Sequence, residues 1–238
     1  MFENKWDVNV RIKGSIYLNR PIILDDVTIR QKGRSLEASV QVSTDTPKKA
    51  QDIAVRKIHD VLDVISTISE QNLEIEGLFN ITGNNYGSAS LPGSFNIKRI
   101  LNTNDLENIA TLSNLISRSN TTVFLRALSY YRKGFGSVDP FDGFFSFWQS
   151  IEIITNKFEG DTIRNKAQNM FNLMNEDLME EFESYRTMRN NIVHGNKPRD
   201  ISQIQLVSEK IEGIKHMSRK IINKIIQDET FRRNVFDD

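Results

Sequence analysis

The chain has 238 residues, 38% of them apolar and 26% charged, which suits a globular protein of one large or two small domains and argues against disorder. Lysine plus arginine balances aspartate plus glutamate at 31 each, so no global field steers a polyanion and any nucleic-acid surface must be a local patch. Without cysteine there is no disulfide, thiolate nucleophile or thiolate zinc site. No apolar leader opens the chain and no window approaches about 18 uninterrupted apolar residues, so a cytoplasmic protein with no membrane partner is expected.

From Val8 to Ser43 the pattern favours strands. Val8, Val10 and Ile12 alternate with polar neighbours, as do Leu36, Ala38, Val40 and Val42. Gly14, Asn19-Arg20-Pro21, Asp25-Asp26 and Lys32-Gly33 punctuate them as turns, and a β-meander is the simplest account. Thr46-Pro47 then opens a helix, with Thr46 as cap and Pro47 at the first position, running to about Ser69 on an apolar face from Ile53 to Ile68. Leu73 to Ile81 returns to strand character, and Thr82 to Ser94 is a loop rich in Gly, Asn and Ser. Phe95-Asn96-Ile97 suggests a short strand, and Asn104-Asp105 caps a helix carrying Leu106, Ile109, Leu112 and Leu115. Residues 1–120 thus form an α+β domain of unknown role, with a β-meander and helices, and Ser117 to Asn120 marks the boundary.

Residues 121–238 read as all helical. Val123 to Lys133 is broken by Gly134, Phe144 to Phe158 is the most aromatic helix, and a third runs from about Asp161 to Leu173. A fourth begins near Glu176, and the fifth, Ser202 to Gln227, places Ile204, Val207, Ile211, Ile214, Ile221 and Ile225 on one stripe. Five helices with short connections make a bundle.

The fourth helix ends in Arg186-Thr187-Met188-Arg189-Asn190-Asn191-Ile192-Val193-His194-Gly195. With Leu178 at zero and about 100° per residue, Phe182, Tyr185, Ile192 and Val193 fall within about 60° of it, and Arg189 lies inside that apolar stripe. A guanidinium there must be paired, or must face a cleft or a partner chain. Arg186, Asn190 and His194 form a polar ridge at i, i+4 and i+8. Gly195 and Pro198 end the helix, so His194 belongs to its last turn, where the carbonyl end favours an imidazolium that already titrates near neutrality.

Arg189-Asn190-x-x-x-His194, with Ala127 to Gly134, Asp139-Pro140-Phe141-Asp142 and Phe147 to Glu152 before it, resembles the HEPN superfamily, in particular bacterial apeA-like and methylamine-utilisation-type members. The resemblance covers roughly Thr121 to Gln227. It implies a HEPN-like bundle acting as a metal-independent endoribonuclease in phage defence or as a toxin, active as a homodimer whose motif helices meet. It also implies attack of a ribose 2′-OH on the adjacent phosphate, leaving a 2′,3′-cyclic phosphate. His194 would move protons, Arg189 would stabilise charge on the phosphorus oxygens, and Asn190 would hold the imidazole or the phosphate. The expected partners are RNA, a second copy of the chain, and an antitoxin or trigger protein.

Each residue also has a plainer role. His194 could cap helix carbonyls, and Arg189 could form a buried ion pair with Glu152, which is itself compatible with a site. Arg186 lies on the polar ridge as a supporting residue. Tyr131 and Arg132, with Tyr130, could stack and hold a base, or could pack in the core. Asp139 and Asp142 read as a turn and a cap rather than a carboxylate cluster with Glu152. The three histidines lack metal-ligand spacing and the glycines form no phosphate-cradling loop, so neither metal nor cofactor is expected. The rival reading is a non-catalytic HEPN-like dimerisation, adaptor or sensor protein whose N-terminal domain binds a ligand, a phage component or a partner protein.

Overall fold

The computed structural model of the chain describes residues 4–83, 99–118, 121–193 and 201–236. It is an α+β protein with two compact units, Met1–Ser113 and Asn114–Asp238. No helix among the described residues is long and apolar enough to cross a membrane.

The first unit contains β1 (Asn4–Lys13), β2 (Ile16–Tyr17), β3 (Ile22–Leu24), β4 (Val27–Lys32), β5 (Ser35–Thr44), α1 (Pro47–Ser69), β6 (Glu74–Thr82) and β7 (Arg99–Ile100). Strands β3, β4 and β5 are the expected meander, but the order β3-β4-β5-β1-β6 corrects a simple one, because the first strand lies inside the sheet between β5 and β6. Trp6, Val8, Val10 and Ile12 of β1 are all buried, so this strand gains most from having a neighbour on each side. Helix α1 packs on β1, β4, β5 and β6, carrying the chain from β5 to the far edge of β1. The Thr46 hydroxyl accepts from the Lys49 amide at 3.3 Å, and Pro47 follows, as the sequence requires of a helix start. Short strands β2 and β7 pair in parallel. The expected strand at Phe95–Ile97 and most of the preceding loop lie outside the described residues.

Glu37 on β5 is buried although its side chain leaves the sheet on the face away from Leu36 and Ala38. Arg30 donates to one of its carboxylate oxygens and Lys32 to the other at 2.8 Å. Burial alone would raise its pKa, but the hydrogen bonds from Lys32 and Arg30 prevail and hold it below the ordinary 4.5. A carboxyl with a depressed folded-state value stabilises the fold above its unfolded value and loses that contribution as pH falls through the folded one. Glu37→Gln is therefore expected to lower stability at neutral pH and to flatten the fall in urea midpoint below pH 4.5. Parallel acid limbs in the two proteins would rule the linkage out.

Helix α2 (Thr103–Arg118) crosses the division between the units. It starts two residues earlier than a cap at Asn104 implies. The Asn102 side chain accepts from the Asp105 amide at 2.9 Å while Asp105 accepts from the Asn102 amide at 3.1 Å, a reciprocal capping box.

The second unit is helical: α3 (Thr122–Gly136), α4 (Pro140–Thr155), α5 (Ile163–Met174), α6 (Met179–Val193), α7 (Ile201–Gln227) and α8 (Glu229–Arg233). Helix α4 is apolar nearly all round and packs on α3, α5, α6 and α7, as a central helix must. Asp139 caps it, accepting from the Phe141 amide at 2.7 Å, so it begins at Pro140 rather than Phe144. Helix α3 runs through Gly134 instead of stopping there. A Cβ at that position would lie 2.6 Å from the Phe147 ring, so the glycine permits close approach of α3 and α4 and does not act as a breaker.

Candidate functional site

Helix α6 carries the motif, and its attachment is uneven. Its buried residues are Phe182 and Tyr185, both in the first half. Phe182 packs on Trp148 of α4 and Phe171 of α5, with ring centroids 5.1 and 5.8 Å apart, and Tyr185 meets Phe144 edge-on. Beyond Tyr185 the apolar stripe emerges from the core: Ile192 is half-buried and Val193 is 51% exposed. This corrects the expectation that both face the core, because the packing that covers Phe182 does not extend to the last turns.

Tyr185 also sets the distance between α6 and α7. Its hydroxyl lies over Gly213, where an added Cβ would fall well inside contact distance. Burial, and then the charge of Glu181, push its phenol above the usual value, so it stays neutral. Gly213→Ala is expected to destabilise by up to about 2 kcal/mol, since overpacking at about 1–3 kcal/mol outweighs the gain of about 1 kcal/mol from replacing a helical glycine. Adding Tyr185→Phe removes the offending atom and leaves the next ring carbon at an ordinary 3.4 Å. The double variant should then unfold at higher urea than Gly213→Ala alone; if it does not, crowding is not the cause.

Arg189 is half-buried and donates from Nη1 to Asn190 Oδ1 at 3.1 Å, while its Nε is buried with no hydrogen-bond partner. No carboxylate among the described residues pairs with it. Glu152, the expected partner, instead accepts from Gln149 one turn earlier on α4, at 3.0 Å. That side-chain pairing within one helix needs no reach across to α6, and the Arg189–Glu152 ion pair is corrected accordingly. Arg186 pairs with Glu183 one turn back, at 2.8 Å from Nη2 and 2.9 Å from Nε. Of the ridge, Arg186 and Asn190 are placed; His194, with Gly195 and Pro198, lies outside the described residues.

Tyr131 and Arg132 do not line this site. Tyr131 is fully buried against Phe135 and Phe147, and Arg132 is 7% exposed, so their expected contact with substrate is corrected to a place in the interior of the helical unit. Their helix presses on α4 along that face, which makes the aromatic a core residue.

Sequence reasoning missed a groove of about 230 Å³ between α6 and α7, lined among others by Met188, Asn191, Ile192, Gln203, Leu206 and Lys210. The available signal was Leu206, an apolar residue one position off the α7 stripe and 45% exposed. Ile204, placed on the stripe by its spacing, is 40% exposed. Comparison with family models, curated proteins and solved structures finds no match to the chain.

Proposed function

We propose that the chain is a metal-independent endoribonuclease of the HEPN type, cytoplasmic, active as a homodimer, and used in phage defence or as a toxin. The observation that carries this reading is the state of Arg189. A guanidinium at half-burial, steadied by a neutral amide rather than by a carboxylate, keeps its positive charge and its remaining Nη donors for an anion. A phosphate whose negative charge grows during attack by a neighbouring 2′-OH is such an anion. His194, five residues further along the sequence, supplies the proton transfer, and Asn190 orients the guanidinium as well as the substrate. The uncovered end of the α6 stripe supports association with a second copy.

The rival, a non-catalytic dimerisation or adaptor module, draws on that same exposed surface at Val193, Ile204 and Leu206. Purified protein incubated with single-stranded RNA in EDTA distinguishes them. The nuclease leaves 2′,3′-cyclic phosphate ends and spares DNA of the same sequence, which lacks the attacking hydroxyl. Light scattering at tens of micromolar should report a dimer; a monomer that nevertheless cuts RNA would remove the half-site arrangement from this reading.

A further inference from the structure

We infer that the groove between α6 and α7 receives one unpaired nucleobase of the RNA strand, so that the chain chooses where it cuts by base identity. This rests on the nuclease reading for its substrate class. At about 230 Å³ the groove is below the roughly 300–1,000 Å³ of pockets for drug-sized ligands, so it takes a single ring system rather than an extended molecule. Met188, Ile192, Leu206 and Val207 supply apolar walls against which a flat ring gains contact on both faces.

Two polar groups decide among occupants. The Asn191 amide lines the groove and makes no hydrogen bond within the chain among the described residues, leaving two donors and an acceptor available. Lys210, half-buried at the same groove, has no ion-pair partner among the described residues. An apolar side chain from another protein would desolvate both without satisfying either. A nucleotide satisfies both, offering a base edge to the amide and a phosphate to the ammonium. Asn191 lies two residues from Arg189, about 3 Å along the helix axis but about 200° around it, so the groove and Arg189 lie on different sides of α6. A strand that serves both crosses over α6, with one base in the groove and a phosphate further along the strand at Arg189.

The test uses the full chain with fluorescein-labelled RNA pentamers of A, C and U, read by anisotropy in EDTA in a His194→Ala background so that the RNA stays intact. One pentamer is expected to bind about tenfold tighter than the others. Leu206→Trp, which fills the groove from an exposed position, and Asn191→Ala should each level that preference, with circular dichroism and light scattering showing fold and oligomeric state retained. Cleavage mapping with otherwise wild-type protein should place the cut beside the preferred base, and Asn191→Ala should broaden the set of sites. Equal affinity for all three pentamers, or a preference that survives both substitutions, overturns the pocket while leaving cleavage, and with it the nuclease reading, intact. A preference lost in both variants, in a protein that never cuts RNA, keeps the pocket and sinks the nuclease. If Leu206→Trp dissociates an oligomer and leaves RNA affinity unchanged, the groove is a protein contact and the inference fails.

Discussion

His194→Ala is expected to cut the rate of RNA cleavage by about 10²- to 10⁴-fold while leaving the urea midpoint where it was. The argument begins with chemistry. A 2′-OH attacks phosphate slowly unless its proton is removed and the leaving oxygen receives one, and among the side chains of the motif only an imidazole changes protonation near neutral pH. Stability should be spared because the residue stands directly before Gly195 in the sequence and contributes nothing to the apolar periodicity of the segment. Arg189→Ala should lower cleavage to a similar degree, and Arg189→Lys should restore little, because a point charge replaces a planar fork. Equal residual cleavage in wild type and His194→Ala would mark that activity as contamination and hand the chain to the adaptor reading.

Phe182→Ala should destabilise the helical unit by about 3–5 kcal/mol, the cost of emptying a fully buried aromatic site. The ring sits between Trp148 and Phe171 and is one of two buried residues that hold α6, so the loss falls on the attachment of the motif helix itself. Arg189 lies about two turns further along. Cleavage by the protein still folded should therefore decline as well, through mispositioning rather than lost chemistry. Phe182→Leu, which keeps much of the volume, should cost less on both counts. A Phe182→Ala urea midpoint within error of wild type would mean that α6 is anchored elsewhere.

Much of the secondary structure was legible because its causes are local. Thr46-Pro47 at the start of α1 and the alternation along β1 and β5 act within a few residues through hydrogen bonds and side-chain direction, whereas Asp139-Pro140, read as a turn with Asp142 as the cap, is itself the start of α4. Position along the helix was legible for Arg186, Arg189 and Asn190 for the same reason. What lies across from each face was not. Gly134 resembles an interruption in the sequence, yet it admits the ring of Phe147, and Gly213, inside a helix the sequence reads as continuous, admits the hydroxyl of Tyr185. Tyr131 beside Arg132 has the composition of a stacking surface, but α4 covers it.

Local sequence sufficed for the α+β class, for the start of α1 and for the order of Arg186, Arg189 and Asn190 along α6, since helical geometry and capping depend on neighbours in the chain. What the local sequence could not decide is that β1 lies inside the sheet between β5 and β6, that α4 covers Tyr131 and Arg132, and that a groove opens between α6 and α7. These depend on which surfaces meet when apolar faces are buried together, and that choice joins residues far apart in the sequence.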